Sequence, residues 1–484
     1  MRGWSDASPA DRLAFDPGDV FEAGLRNHHI SNTAYPIAHE RTWKPYRVAH
    51  ERTGPVTISA WQGIDDLCLY VHVPFCETRC SFCEYTVVKR DEIPGMGAYM
   101  DGLGRELALY RDALGTRVRT LHGFDIGGGT PSFVPADEIA RVVEDVRRSF
   151  RFAPEADISI ETTPKIAAAE PAKIAAYRKM GIDRISMGVQ VIQPDLLRIL
   201  NRSENGVEHH VRAAANIRAA GFARFNVDLM YGFAGQTLES WRATLRHAID
   251  LGPEAITLYR MRYKLTRISH QAGSVTLDAV RPLIRLAKRM LADAGYQANA
   301  GKTTYSRIPG DVGTSSYLAK RVTWGMPYLG LGLGAQSFTH TTISYNDGAV
   351  GKNLLPYQRS LAAGRLPLQD VYDLPARQMM GKFCAVSFYF GEIHREAFRA
   401  KFGVKLERAF ADEVDFVVRD GLMEQTAETL RLTPEGALNV NGVIALFFAP
   451  SIQQYLLERD PDDAEDMHRN QVQALKVAGE AAHV

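Results

Sequence analysis

Cys76, Cys80 and Cys83 stand within eight residues, in Tyr70-Val-His-Val-Pro-Phe-Cys76-Glu-Thr-Arg-Cys80-Ser-Phe-Cys83-Glu-Tyr85. Intervals of C-x3-C-x2-C cannot share one face of a regular helix, so the segment reads as a loop wrapped around something. Three thiolates on one loop suit a soft metal centre. A four-cysteine iron–sulfur site needs one more ligand, and the next cysteine along the chain is Cys384. One iron is then left without a protein ligand and open to a small molecule. Zinc with His72 as a further ligand is the alternative, although His72 falls within a strand pattern. Five cysteines in 484 residues do not make a disulfide framework. Cys68, inside an apolar run, and Cys384, on an apolar helical stretch, read as core.

The elements that must position this loop form a regular alternation. Leu67–Val73 reads as a strand ended by Pro74, and strand patterns recur at Leu121–Ile126, Asp157–Glu161, Arg184–Val189, Arg224–Met230 and Ala255–Tyr259. Helix patterns separate them, at Tyr99–Ala113, Ala136–Phe150, Pro171–Met180, Val207–Ala220 and Leu238–Asp250. Such repeated β/α units imply parallel strands with crossover helices. They are too few for a closed eight-stranded barrel, which leaves a curved partial barrel or a doubly wound sheet. Either architecture collects function at the C-terminal ends of the strands. Those ends carry Gly127-Gly128-Gly129-Thr130, then Glu161, then Gln190 with Arg202 beyond it, and Asp228. Consecutive glycines permit close backbone approach to a bound amino acid. Asp228 lies among apolar residues, where an unpaired charge is costly, and Arg202 or a ligand cation would serve as its partner.

The cysteine loop after Tyr-Val-His-Val-Pro-Phe resembles that of the radical S-adenosylmethionine (SAM) superfamily. More narrowly, it resembles the oxygen-independent coproporphyrinogen III oxidase (HemN-like) branch. The resemblance implies a [4Fe–4S] cluster on Cys76, Cys80 and Cys83 and two bound SAM molecules. Tyr70, Phe82, Gly128 and Glu161 match contacts to the cluster-bound SAM, and Gly129, Thr130, Gln190, Arg202 and Asp228 match contacts to the second. It further implies a one-electron donor such as flavodoxin or ferredoxin. Two positions depart from the branch. Tyr85 stands where the decarboxylase carries a fourth cysteine, and Arg260 aligns with a small contact to the second SAM. Tyr85 therefore becomes the candidate catalytic residue at the reacting centre. It directs the reading toward relatives that use the second SAM as a methyl or methylene donor to an sp2 carbon of a small conjugated substrate, by C-methylation or cyclopropanation. Decarboxylation of coproporphyrinogen, or a heme-binding chaperone without turnover, is the alternative.

The fold expected is α/β, a partial (β/α)6 TIM-like barrel with a smaller, mainly helical C-terminal cover domain. Its expected divisions are an N-terminal arm over residues 1–60, the barrel over 61–300, an extension and linker over 301–375, and the cover domain and tail over 376–484. Asn32-Thr-Ala-Tyr-Pro-Ile and Trp43-Lys-Pro-Tyr look like an arm laid over another domain. The run Tyr328-Leu-Gly-Leu-Gly-Leu-Gly-Ala-Gln336 lacks phosphate-loop spacing and resembles the branch's wall beside the adenosyl group. The heme-chaperone version of that wall carries histidine where Gln336 stands. Pro356–Pro375 reads as the linker, and the acidic stretch from Glu458 as a solvated end. A wing-like pattern near Leu430–Gly436 could mean DNA binding. Lys plus Arg at 57 against 56 Asp plus Glu provides no basic field, so no nucleic-acid partner is expected. There is no apolar run long enough to span a membrane and no secretory signal pattern, so a cytoplasmic monomer is expected.

Overall fold

The computed structural model describes residues 13–115, 117–263 and 266–459, so the N-terminal Met-Arg-Gly-Trp and the acidic stretch beyond 459 lie outside the described residues. The sheet-forming strands are β1 Asp66–Val73, β2 Arg119–Gly128, β3 Phe150–Phe152, β4 Ile158–Thr162, β5 Arg184–Gln190, β6 Arg224–Tyr231, β7 Ala255–Arg260, β8 Thr304–Ser306, β9 Tyr328–Leu331, β10 Gln336–Phe338, β11 Thr342–Asn346 and β12 Leu368–Asp373. Their order is β12-β11-β10-β9-β1-β2-β4-β5-β6-β7-β8, with β3 beside β2. The run from β9 through β7 is parallel throughout, which makes a partial barrel of α/β type. β1 is buried at every position but Asp66 and Tyr70, as a parallel strand covered on both faces should be.

The crossover helices follow from their apolar stripes and caps. Helix Ala136–Ser149 buries Ile139, Val142, Val143 and Val146, an i, i+3, i+4, i+7 set. Helix Leu238–Asp250 opens with Thr237 and Ser240 capping each other's backbone. These helices press on a core built from the apolar residues of the parallel strands.

Three features extend the expected arrangement. β9, read from sequence only as a glycine-rich wall, is a strand parallel to β1 on the edge away from β2. The segment expected as a linker is instead helix Leu354–Ala362 followed by β12, which pairs with β11. Its prolines suggested a loop, but Leu354, Tyr357 and Leu361 form a buried stripe that outweighs them. Finally, the N-terminal segment joins the core of the C-terminal part. Val20, Tyr35, Ile37 and Trp43 pack in one cluster with Phe383, Phe398 and Phe447. Helix Pro17–Arg26 crosses helix Val440–Leu446 at Gly24, where an added Cβ would lie 2.6 Å from the Asn441 carbonyl oxygen. The C-terminal part also carries a three-stranded antiparallel wing: β13 Glu392–His394, β14 Met423–Gln425 and β15 Thr429–Leu432, in the order β13-β15-β14. Among the described residues no helix is long and apolar enough to cross a membrane.

Candidate active site

The C-terminal ends of the parallel strands open on one cavity of about 220 Å³. Cys76, Cys80, Cys83, Phe82 and Tyr85 line it from the loop after β1, and Gly128, Gly129 and Thr130 from the end of β2. Glu161, Gln190, Arg202 and Asp228 complete it from β4, β5, the loop beyond, and β6. Tyr70 is the one expected residue outside the lining; its ring lies under the glycines, 3.1 Å from where a Gly127 Cβ would sit.

The glycine run is dictated by the chain's own packing. Gly128 has φ +118°, and a Cβ there would meet the His72 ring at 2.6 Å. A Cβ on Gly129 would meet the Phe75 carbonyl at 2.7 Å, because the Gly129 and Thr130 amides donate to the Val73 and Phe75 carbonyls at 2.7 and 2.8 Å. These bonds lock the start of the cysteine loop to the end of β2.

Cys76 Sγ lies 3.3 Å from Thr130 Oγ1, and Arg202 Nη1 donates to Cys80 Sγ at 3.3 Å. Burial pushes the Cys76 thiol up to about 12 and raises Cys83 as well, so a bound cation is needed to hold these sulfurs as thiolates. Among the described residues no three His, Cys, Asp or Glu side chains close on a single-ion site. An iron–sulfur cluster spreads its ligands more widely than one ion does, and three thiols converging on one cavity fit it. The zinc alternative fails on His72, whose Nε2 bonds to the Thr86 carbonyl at 2.7 Å and whose Nδ1 bonds to the Tyr70 hydroxyl at 3.2 Å. Cys68 and Cys384 are fully buried away from the cavity.

The far wall carries unsatisfied polar groups. Gln190 has φ +68°, follows a register shift in the β5–β6 pairing, and its Oε1 is buried without a partner. A non-glycine residue held in the left-handed region next to an orphaned acceptor is a strained, ligand-ready position. Arg202 Nε is likewise orphaned, while its Nη2 donates to the Gly188 carbonyl. Arg202 is thus not the partner of Asp228, as the sequence had suggested. Asn226 Nδ2 donates to Asp228 Oδ1 at 2.7 Å, and Thr257 Oγ1 donates to Asn226 Oδ1 at 2.9 Å. Asn226, two residues before Asp228, points to the same side of β6 and holds that carboxylate; strand alternation was the available signal.

Glu161 accepts from the Gly128 amide at 3.2 Å. Burial, then the Asp228 charge, pushes it up to about 7, and burial pushes Asp228 up to about 6. Much of the Glu161 surface is nevertheless open, and it opens into the cavity, so a bound ligand would complete its surroundings.

Tyr85 and Tyr259 are 58% and 40% exposed and line the same cavity. Lys352 Nζ fixes the loop there, donating to the Glu84 and Tyr85 carbonyls at 2.9 and 3.0 Å. Arg262 is paired with Glu84, and its Nη1 donates to Asn32 of the N-terminal segment at 3.3 Å. Arg260, expected at the second SAM, is part of the cavity lining and donates to His28 and, at 3.3 Å, to Asn441 Oδ1. Its register partner is Tyr231, whose ring packs on Trp241 of a crossover helix. Strand alternation sets Arg260 and Tyr259 on opposite faces of β7, yet both residues contribute to the cavity lining.

The Radical SAM superfamily matches residues 70–248, and the HemN C-terminal domain matches residues 392–438. The chain thus carries a segment that matches the radical SAM superfamily and a later segment that matches the HemN C-terminal domain. The superfamily's cofactors, a [4Fe–4S] cluster and SAM, fit the cysteine loop and the cavity. The chain is 26% identical over 396 residues to the heme chaperone HemW of Haemophilus influenzae, covering 79% of itself and 97% of that protein. It is 27% identical over 405 residues to the oxygen-independent coproporphyrinogen III oxidase of Bradyrhizobium diazoefficiens, covering 79% and 86%. The solved structure of coproporphyrinogen III oxidase (HemN) from Escherichia coli superposes with a TM-score of 0.69 at 23% identity, over 86% of this chain and 96% of that one. These relatives overturn the expectation of methyl or methylene transfer. They are named for heme and coproporphyrinogen, and the inference from Tyr85 to a methyl donor rested on a single aligned position.

Proposed function

We propose that the chain is a radical SAM oxidoreductase that acts on a carboxylate-bearing tetrapyrrole of the porphyrinogen class, with loss of carbon dioxide from a propionate arm. The observation that carries this reading is the single cavity. The cluster cysteines, the residues matching a first SAM except Tyr70, and those matching a second all face it, together with two open tyrosine rings. When bound, the cluster and SAM would supply a carbon-centred radical able to take a hydrogen atom from the propionate arm; loss of carbon dioxide would then leave a vinyl group and one electron, which a one-electron acceptor would take up. Glu161, with the Gly128 amide, would hold the cluster-bound SAM, and Asp228, fixed by Asn226, would hold the second. Tyr85 and Tyr259 would present flat faces to a pyrrole ring. The Glu84–Arg262–Asn32 contacts tie the cysteine loop to the N-terminal segment beside the cavity. A one-electron donor of the flavodoxin or ferredoxin type, a cytoplasmic setting and a monomeric state belong to the same proposal.

Anaerobic reconstitution with iron, sulfide, SAM, dithionite and coproporphyrinogen III tests it. The expected result is carbon dioxide released together with 5′-deoxyadenosine. A heme chaperone is the second reading, favoured by the match over nearly the whole HemW length and by Tyr85 in place of the decarboxylase cysteine. Tight, stoichiometric hemin binding with no carbon dioxide would select it.

A further inference from the structure

Arg321, on helix Ser316–Trp324, is a half-buried arginine with no acid partner among the described residues. Its guanidinium carbon lies 4.6 Å from the centroid of the Tyr328 ring and 5.8 Å from that of Tyr317. Nη1 makes one long bond to the Tyr317 hydroxyl at 3.4 Å, and Nε is buried without an acceptor. Among the described residues no carboxylate pairs with it, whereas Arg218, Arg224 and Arg262 each pair with one. A guanidinium carries five N–H donors, so most of this one's capacity is unused.

A second cation lies close by. Lys382, on helix Ala376–Ser387, is buried, and its Nζ donates to the Tyr35 carbonyl at 3.0 Å. Burial, then the Arg321 charge, holds its pKa down to about 7. It has no acid partner among the described residues either. Two neighbouring basic groups without an anion leave a place for a ligand that brings the opposite charge.

The position indicates which ligand. The Tyr70 ring, which underlies the cavity glycines, lies 6.1 Å from the Tyr317 ring. Tyr389 is within electrostatic reach of Tyr85, Tyr259 and Arg262 on one side and of Arg321 on the other. Arg321 is therefore linked to the cavity glycines through two aromatic side chains, Tyr317 and Tyr70. Gln336 fixes the cradle: it accepts from the Tyr328 hydroxyl, and its Nε2 donates to the Tyr345 hydroxyl at 2.7 Å. Flat rings leading to a guanidinium fork suit an aromatic or pyrrolic ligand with a carboxylate arm.

We propose that Arg321, backed by Lys382, binds a carboxylate arm of the substrate beside the reaction cavity. The identity of that substrate rests on the tetrapyrrole reading above; the anion site rests on Arg321 and its surroundings alone. The test uses the full chain with three probes: propionate, coproporphyrin III and the tetramethyl ester of coproporphyrin III. Propionate is followed by near-UV circular dichroism of the tyrosines, and the porphyrins by absorbance titration. The native chain should respond to propionate and bind the tetra-acid more tightly than the ester. Arg321→Gln should abolish the propionate response and weaken tetra-acid binding about tenfold or more, with little change for the ester. Arg321→Lys, which keeps the charge, should recover part of the difference and guards against a folding defect in the first variant. Unchanged tetra-acid binding in both variants would overturn the anion site while leaving the tetrapyrrole reading intact. A propionate response lost in Arg321→Gln, with no porphyrin binding by the native chain, would uphold the anion site and overturn the tetrapyrrole reading. No response to any probe would overturn both.

Discussion

Glu106 and Glu161 are both carboxylates pushed up to about 7 chiefly by desolvation, but Glu106 is fully buried whereas Glu161 opens into the cavity. Glu106, on helix Met96–Leu114, accepts from the Gly332 amide at 2.8 Å, the Tyr357 hydroxyl at 2.8 Å and Asn346 Nδ2 at 2.6 Å. It ties the glycine turn after β9 to two helices, and it has no surface left for a ligand. Glu161 accepts one long backbone bond and faces a cavity whose other walls hold orphaned atoms of Gln190 and Arg202. The pKa direction alone does not distinguish a structural acid from a site acid in this protein. The count of satisfied hydrogen bonds does.

The largest effect expected lies on the cavity side. Replacing Cys76, Cys80 or Cys83 with alanine should abolish the iron–sulfur chromophore and all SAM cleavage, whereas Cys384→Ala should retain both. Iron analysis after anaerobic reconstitution reads this directly, and a chromophore surviving in Cys80→Ala would break the assignment of the loop. Asp228→Ala comes next. Product formation should fall at least about a hundredfold, with some uncoupled 5′-deoxyadenosine remaining, because a misplaced partner costs turnover more than cluster chemistry. Loss of cleavage and product together would remove the division between two SAM positions. Asn226→Leu should give a milder version of the same defect, since it removes the donor that holds Asp228.

Stability should separate the two glutamates. Glu106→Gln turns an amide NH2 toward existing donors and should cost about 1–3 kcal/mol in denaturant unfolding. Glu161→Gln should cost less than about 0.5 kcal/mol, because its carboxylate is open to the cavity. The pH dependence follows the same division. The native chain retains the Glu106 proton up to about 7, whereas the unfolded chain loses it near the ordinary 4.5. Stability of the cluster-free protein should therefore fall as pH rises through that window, and Glu106→Gln should flatten the fall. A melting temperature that rises across the window would contradict the assignment. The smallest effect is expected at Tyr85. Tyr85→Phe keeps the ring and should change turnover or product ratio only a few-fold, whereas Tyr85→Ala should raise KM more, because it removes the flat face.

Much of this protein is legible in its sequence because the relevant information is local. The cysteine loop is defined by spacing within a few residues. The strands from β1 to β7 that carry the cavity, and the helices between them, follow from apolar runs and periodicity, and Gly128, Glu161 and Asp228 follow from their places at strand ends. Other features depend on residues far apart in the chain, and no local pattern reports them. β9 is a strand because Cys68 to Val71 offer it a register, and the N-terminal segment is a core element because Gly24 meets Asn441. Arg260 and Arg262, two residues apart in the chain, end in different places: one ties the N- and C-terminal segments together, the other pairs with Glu84. Spacing and residue type determined the cofactor chemistry of this chain. Only the tertiary structure decided which buried charges are satisfied, because hydrogen-bond partners are set by contacts between distant residues.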